Sequence, residues 1–226
     1  SPTKTILLLA WPVLIEQVFS TLVGYADTAM VGSLGAAATT SVSISMSVIM
    51  LLNGFVMSLG MGITTMVARS AGAGDYEKAR AFMRHAILVI LYVGLPIALV
   101  IIGLHRLIPQ WLGAEPEVLE LAAEYNIITG VGRIFGISSM ILNSAFRGYG
   151  DTKTPLRINT TMNVVNVIFN FLLIYPTRTL TIFGASFTMW GAGWGVNGAA
   201  VATSIGMAVA GLQGLHVAFF RDNEFR

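Results

Sequence analysis

Two acids, Glu16 and Asp27, stand inside a stretch of residues 6–33 that is otherwise apolar enough to lie in a membrane. An ionised Asp at the centre of a membrane helix costs about 2.5–3.5 kcal/mol on insertion scales, so it needs a protein partner, a water-filled cavity or a proton. Glu16 precedes Asp27 by eleven residues. At 100° per residue that spacing returns to nearly the same helix face, about 16 Å further along. Two acids on one stripe are the chemistry of a cation or proton path; the plainer reading is an interfacial Asp and a Glu hydrogen-bonded between helices. Asparagines 159, 163, 166 and 170 follow spacings of four, three and four, so all fall within an arc of about 60°. Asn side chains can be packing glue worth roughly 0.6–2 kcal/mol each. Four in one stripe through an uncharged segment exceed what packing needs, and predict a polar cavity. Asn166 and Asn170 fall nearest the outer half, where Asp27 is placed, with Glu16 and Asn163 as secondary candidates.

The elements that position these groups follow from the composition. The 226 residues are 55% hydrophobic and 11% charged, with mean hydropathy +0.75, against about a quarter charged in soluble domains. Residues 28–68, 86–105, 158–177 and 179–220 contain no Asp, Glu, Lys or Arg. The two longer runs each hold a crossing of about 20 residues plus a connector. The pattern predicts an all-α membrane protein, a single unit over 1–226 with helices near 6–33, 41–70, 82–105, 118–146, 155–176 and 195–220. With six crossings both termini lie on one side. That side collects Lys4, Arg69, Lys78, Arg80, Arg84, Arg147, Lys153, Arg157, Arg221 and Arg226, ten residues against Arg106 and Arg178 opposite. Positive residues resist translocation, so the termini and the second and fourth connectors are expected in the cytoplasm.

Arg133 alone falls inside a helix. It lies about 21 Å from the level of Arg147, a depth that predicts snorkelling to the outer interface. Basic residues scattered singly, with no stripe of aromatics, exclude nucleic-acid binding. There is no cysteine for a disulfide or metal site, and His85, His105 and His216 have no metal-ligand spacing. An intramembrane protease would need a buried Ser with a His base, and no histidine lies mid-helix. Pro12 and Pro96 are expected to bend their helices. Gly72-Ala-Gly-Asp75 and Gly148-Tyr-Gly-Asp151 echo one another in the two cytoplasmic connectors; Thr154 followed by Pro155 reads as N-cap and first helical position.

Taken in order, Trp11-Pro12, Asp27-Thr28, Gly72-Ala-Gly-Asp75 with Lys78-Ala79, Arg147-Gly-Tyr-Gly-Asp-Thr-Lys-Thr-Pro155, Asn166-Val-Ile-Phe-Asn170 and Gly195-Val-Asn-Gly-Ala-Ala-Val-Ala-Thr203 resemble the multidrug and toxic compound extrusion (MATE) family throughout the chain. The resemblance implies the amino-terminal six-helix lobe of a twelve-helix, two-lobe antiporter in a plasma (bacterial inner) membrane, with a carboxy-terminal six-helix lobe as its partner. It also implies no cofactor and no enzymatic activity. Such a transporter exports small organic cations or drugs in exchange for protons or sodium by alternating access. By position, Asp27 resembles the lobe acid, Asn166 and Thr203 its neighbours in the cation pocket, and Pro12 a bend site; any sodium would be held at Asp27. Some members have a second acid where this chain has Asn170, which tilts the expectation toward proton coupling. Two alternatives remain: a lipid-linked sugar flippase, expected to need several basic residues in its cleft, and a non-transporting six-helix scaffold.

Overall fold

The computed structural model describes residues 2–182 and 185–220. The helices α1 (Pro2–Gly32) and α2 (Ala36–Gly72) are followed by α3 (Tyr76–Val89), a π-helical turn (Ile90–Gly94) and α4 (Leu95–Gly103), which run on as one rod. A short α5 (Leu107–Trp111), then α6 (Pro116–Gly148), α7 (Lys153–Leu173), a hairpin of β1 (Pro176–Ile182) and β2 (Ala185–Ala192), and α8 (Gly195–Phe220) complete the order. Among the described residues, five helices are long and apolar enough to cross a membrane: those beginning at Ile6, Ala36, Tyr76, Pro116 and Gly195. The chain is an integral membrane protein. The sixth, α7, has 21 residues, long enough to span about 30 Å. Its four asparagines dilute its hydropathy.

The helix bounds differ in places from those read off the sequence. Helix α2 begins at Ala36, not at 41, because Ala36, Ala37 and Ala38 are good helix formers rather than a linker. The last connector is the β1/β2 hairpin, paired antiparallel from Arg178↔Met189 to Ile182↔Ala185. Its sequence, Thr-Arg-Thr-Leu-Thr-Ile, alternates β-branched residues with a period of two. Basic residues Arg221 and Arg226 lie outside the described residues.

Helix α6 is the centre of the bundle. In its most apolar window 56% of residues are buried, against 11% in α1. Phe146, Ile141 and Leu142 of α6 are fully buried and join Val56 and Val67 of α2 in the main core. Helix α8 comes close enough that a Cβ on Gly132 would lie 2.6 Å from the Cα of Ser204, so only glycine admits that approach.

The two prolines act differently. Pro96 cannot donate to the carbonyl four residues back, and the π-turn just before it absorbs the mismatch, with Leu95 N–H bonding to Ile90. Pro12 is fully buried inside α1, which continues as one helix past it.

The echoed loops have the same geometry. Asp75 N–H bonds to Ser70 O at 3.0 Å and Gly74 N–H to Ala71 O at 3.0 Å; Asp151 N–H bonds to Phe146 O at 3.0 Å and Gly150 N–H to Arg147 O at 2.9 Å. Each is a Schellman C-cap closing on a glycine in the left-handed region, φ 76° and 83°. The aspartate then caps the next helix. Asp75 accepts from Lys78 N–H at 3.0 Å. Asp151 accepts from Thr154 N–H at 2.9 Å and from the Thr154 hydroxyl at 2.6 Å. The expectation that Thr154 caps α7 is therefore corrected: α7 starts at Lys153, and Thr154 is the donor to Asp151, its N–H bonding to Oδ1 and its hydroxyl to Oδ2.

Candidate functional site: a polar ladder between α1 and α7

Helices α1 and α7 touch through three side-chain hydrogen bonds, each between residues 143 apart in the chain. Asn159 Nδ2 donates to Glu16 Oε1 at 2.6 Å. Asn163 Nδ2 donates to Ser20 Oγ at 3.0 Å. Asn170 Nδ2 donates to Asp27 Oδ1 at 2.6 Å. A constant offset requires two helices running parallel and in register, and residues 16, 20 and 27 share an arc of about 40° on α1. The ladder thus spans about 16 Å of the membrane interior. Each amide donor meets an acceptor where water is scarce, which is how polar groups are tolerated there.

At its Asp27 end the ladder extends sideways. Asn170 Nδ2 also bonds to Asn166 Oδ1 at 3.3 Å, and Asn166 Nδ2 donates to Thr203 Oγ1 of α8 at 3.2 Å. Tyr125 of α6, only 2% exposed, lies beside Thr203. Asp27, Asn166, Asn170 and Thr203 are thus brought into one network from three helices. Tyr125 belongs to it without having been singled out: a lone Tyr beside Glu124 reads as an interfacial anchor. Its one sequence signal is a place in the helix turn facing the small residues of α8.

At the other end Glu16 also receives Arg147 Nη2 at 2.6 Å, and Asn143 Nδ2 donates to Asn159 Oδ1 at 3.2 Å. Arg147 closes α6, and its side chain turns back along the bundle to Glu16. Beside this cluster lies a cavity of about 750 Å³ bordered by Glu16, Ser20, Asn143, Arg147 and Asn159. Asn166 and Asn170 do not border it; at 6% and 1% exposed they are buried between helices. Arg133 also borders it, which corrects its expected snorkelling: the side chain is 7% exposed and Nη1 donates to Asn53 Oδ1 at 3.0 Å. Turning inward gives the guanidinium an amide acceptor that lipid would not supply.

The helical bundle, with two half-buried carboxylates on α1, is a membrane lobe. Residues 12–172 match the MatE family, and the chain belongs to that family. It is 29% identical over 225 residues to the probable multidrug resistance protein NorM of Thermotoga maritima, covering 99% of this chain and 46% of that protein. It is 31% identical over 173 residues to a protein of Shewanella oneidensis named FAD transporter, covering 74% and 38%. Among solved structures, an outward-facing multidrug resistance MATE family transporter superposes with TM-score 0.88 at 27% identity, covering 99% of this chain and 47% of the other. Crystal structures of MATE in the straight and bent conformations give 0.87 and 0.85. The chain spans about half the length of the relatives it matches, and is one lobe of a two-lobe fold.

Proposed function

We propose that this lobe works in a secondary active antiporter that exports organic cations or drugs in exchange for protons or sodium by alternating access. The observation that carries the reading is the Asp27 carboxylate in a membrane helix, bonded to Asn170 and linked through Asn166 to Thr203 and Tyr125. A carboxylate is a pure acceptor; protonated, it becomes a donor as well. Taking up a proton therefore changes what the Asn170 amide faces, and the change passes to α8 through Asn166. A bound cation favours the ionised carboxylate and a proton removes it, so the two compete at one oxygen pair.

The length of the relatives supports a second, carboxy-terminal lobe completing the cleft. The asymmetry of Lys and Arg supports both ends of this chain facing the cytoplasm, and the family supports a plasma membrane. The test is ion-driven ethidium efflux by the full-length protein and its Asp27→Asn variant at matched expression. Loss of coupled efflux is expected; equal efflux would refute the assignment.

A further inference from the structure

Between the last turn of α2 and the first turns of α3, at the first of the two echoed loops, lies a notch of about 430 Å³ bordered by Met66, Arg69, Ser70, Asp75, Lys78 and Phe82. Its wall is graded. Met66 stands three residues before Arg69 on α2, and Phe82 four residues after Lys78 on α3. Each cation therefore has an apolar side chain on its own helix face, about one turn farther from the loop. Residues 28–68 carry no charge and Arg69 is the first that does, so the notch straddles the level where hydrocarbon gives way to headgroups.

The cations in this wall are uncommitted. At the second loop Arg147 is engaged by Glu16. Among the described residues no carboxylate pairs with Arg69 or Lys78. Asp75, the acid in the wall, is turned to the start of α3, where Oδ1 accepts from the Lys78 N–H at 3.0 Å. Two cations less one acid leave the wall a net charge of +1. Ser70, 6% exposed, adds a hydroxyl.

We infer that this notch seats one anionic phospholipid, its phosphodiester between Arg69 and Lys78 over Ser70, and the start of its acyl chains on Met66 and Phe82. The guanidinium offers paired donors to two phosphate oxygens, and the ammonium adds a point charge. A basic pocket between membrane helices favours an anionic headgroup over a neutral one. The two apolar residues select a lipid over a soluble anion: Met66 is 53% exposed, and free phosphate would cover neither it nor Phe82. A seated lipid joins α2 and α3 through its charge. Which leaflet supplies it follows from the asymmetry of Lys and Arg.

The test offers the full-length protein, purified in a mild detergent, equal amounts of phosphatidylglycerol and phosphatidylcholine, and counts retained lipids by native mass spectrometry. Phosphatidylglycerol is expected to be retained over phosphatidylcholine by about tenfold or more. Arg69→Gln/Lys78→Gln is expected to lose one bound phosphatidylglycerol per chain. Lys153→Gln/Arg157→Gln, which removes the same charge from the same membrane surface at α7, is expected to keep it. Retention that survives the first double variant, or falls equally in the second, overturns the proposal. Asp75→Asn keeps the α3 cap, since Asn caps as well as Asp, and removes the opposing carboxylate. It is expected to raise the preference by about threefold; an unchanged or lower preference overturns the anionic assignment even where Arg69→Gln/Lys78→Gln does not fold. Excess inorganic phosphate is expected to leave the lipid in place, and displacement by it overturns the choice of a lipid. Ethidium efflux enters none of these measurements, so failure here leaves the transport reading standing.

Discussion

Toward the end of α1, Asp27 accepts from the neutral amide of Asn170; eleven residues earlier, Glu16 accepts from the amide of Asn159 and from the guanidinium of Arg147. The helices, the register and the donor type are the same at both ends, so the guanidinium is the difference between them. Glu16 thus has a positively charged partner in Arg147, and Asp27 a neutral one in Asn170. A carboxylate bonded to an amide can gain or lose a proton without stranding a partner charge. The comparison teaches that the two acids of one helix face differ in the charge of their partners, which is what the proposed coupling role of Asp27 rests on.

The largest effect expected to sharpen this contrast is from Asp27→Asn, which should reduce ion-driven efflux by about 100-fold or more, equivalent to about 2.7 kcal/mol of coupling. Glu16→Gln should leave ion-driven ethidium efflux within about threefold. Efflux assays on inverted membrane vesicles compare the two, and an equal loss from both would break the distinction between the ends.

Next in size is Arg147→Gln. Removing one member of a fully buried pair costs about 3–5 kcal/mol. The Arg147 side chain is 34% exposed and that of Glu16 12%, so about 1–2 kcal/mol is expected after screening. The double variant Glu16→Gln/Arg147→Gln should recover most of it, with thermal unfolding in detergent as the measurement. A double variant as unstable as Arg147→Gln would show that Arg147 acts through packing alone.

Asn170→Asp puts a second carboxylate against Asp27. Like charges raise the affinity of the pair for a cation and for a proton, so sodium stimulation of efflux is expected to appear or grow by about three- to tenfold. No change in sodium dependence would mean that the pair does not face the ion path. The smallest effect belongs to Asn163→Ala, which removes the middle rung at a cost of about 0.6 kcal/mol; a drop in stability as large as that of Arg147→Gln would mean the ladder is cooperative.

The parts of the molecule legible beforehand are those with a period. The apolar runs gave the helices, the spacings on α7 gave a single polar face, and eleven residues between Glu16 and Asp27 gave a shared stripe. What periodicity cannot show is reach across helices. Arg147 and Arg133 were placed by depth alone, yet both turn inward because a carboxylate and an amide wait on α1 and α2. Tyr125 carries no pattern of its own, and its role exists only where α8 brings Thr203 beside it. The hairpin was hidden for another reason: with long apolar runs on both sides, a segment of alternating Thr reads as a spacer.

The fixed offset of 143 residues also works as a ruler. Adding it to a position on the inward face of α1 names the residue facing it on α7, so that Val23, 8% exposed, is opposite Asn166. The chain contains no cysteine, so a probe pair placed by this rule reports on these two helices with no background from the lobe. A change in their separation during turnover would distinguish a helix that tilts away from its neighbour from one that carries it along.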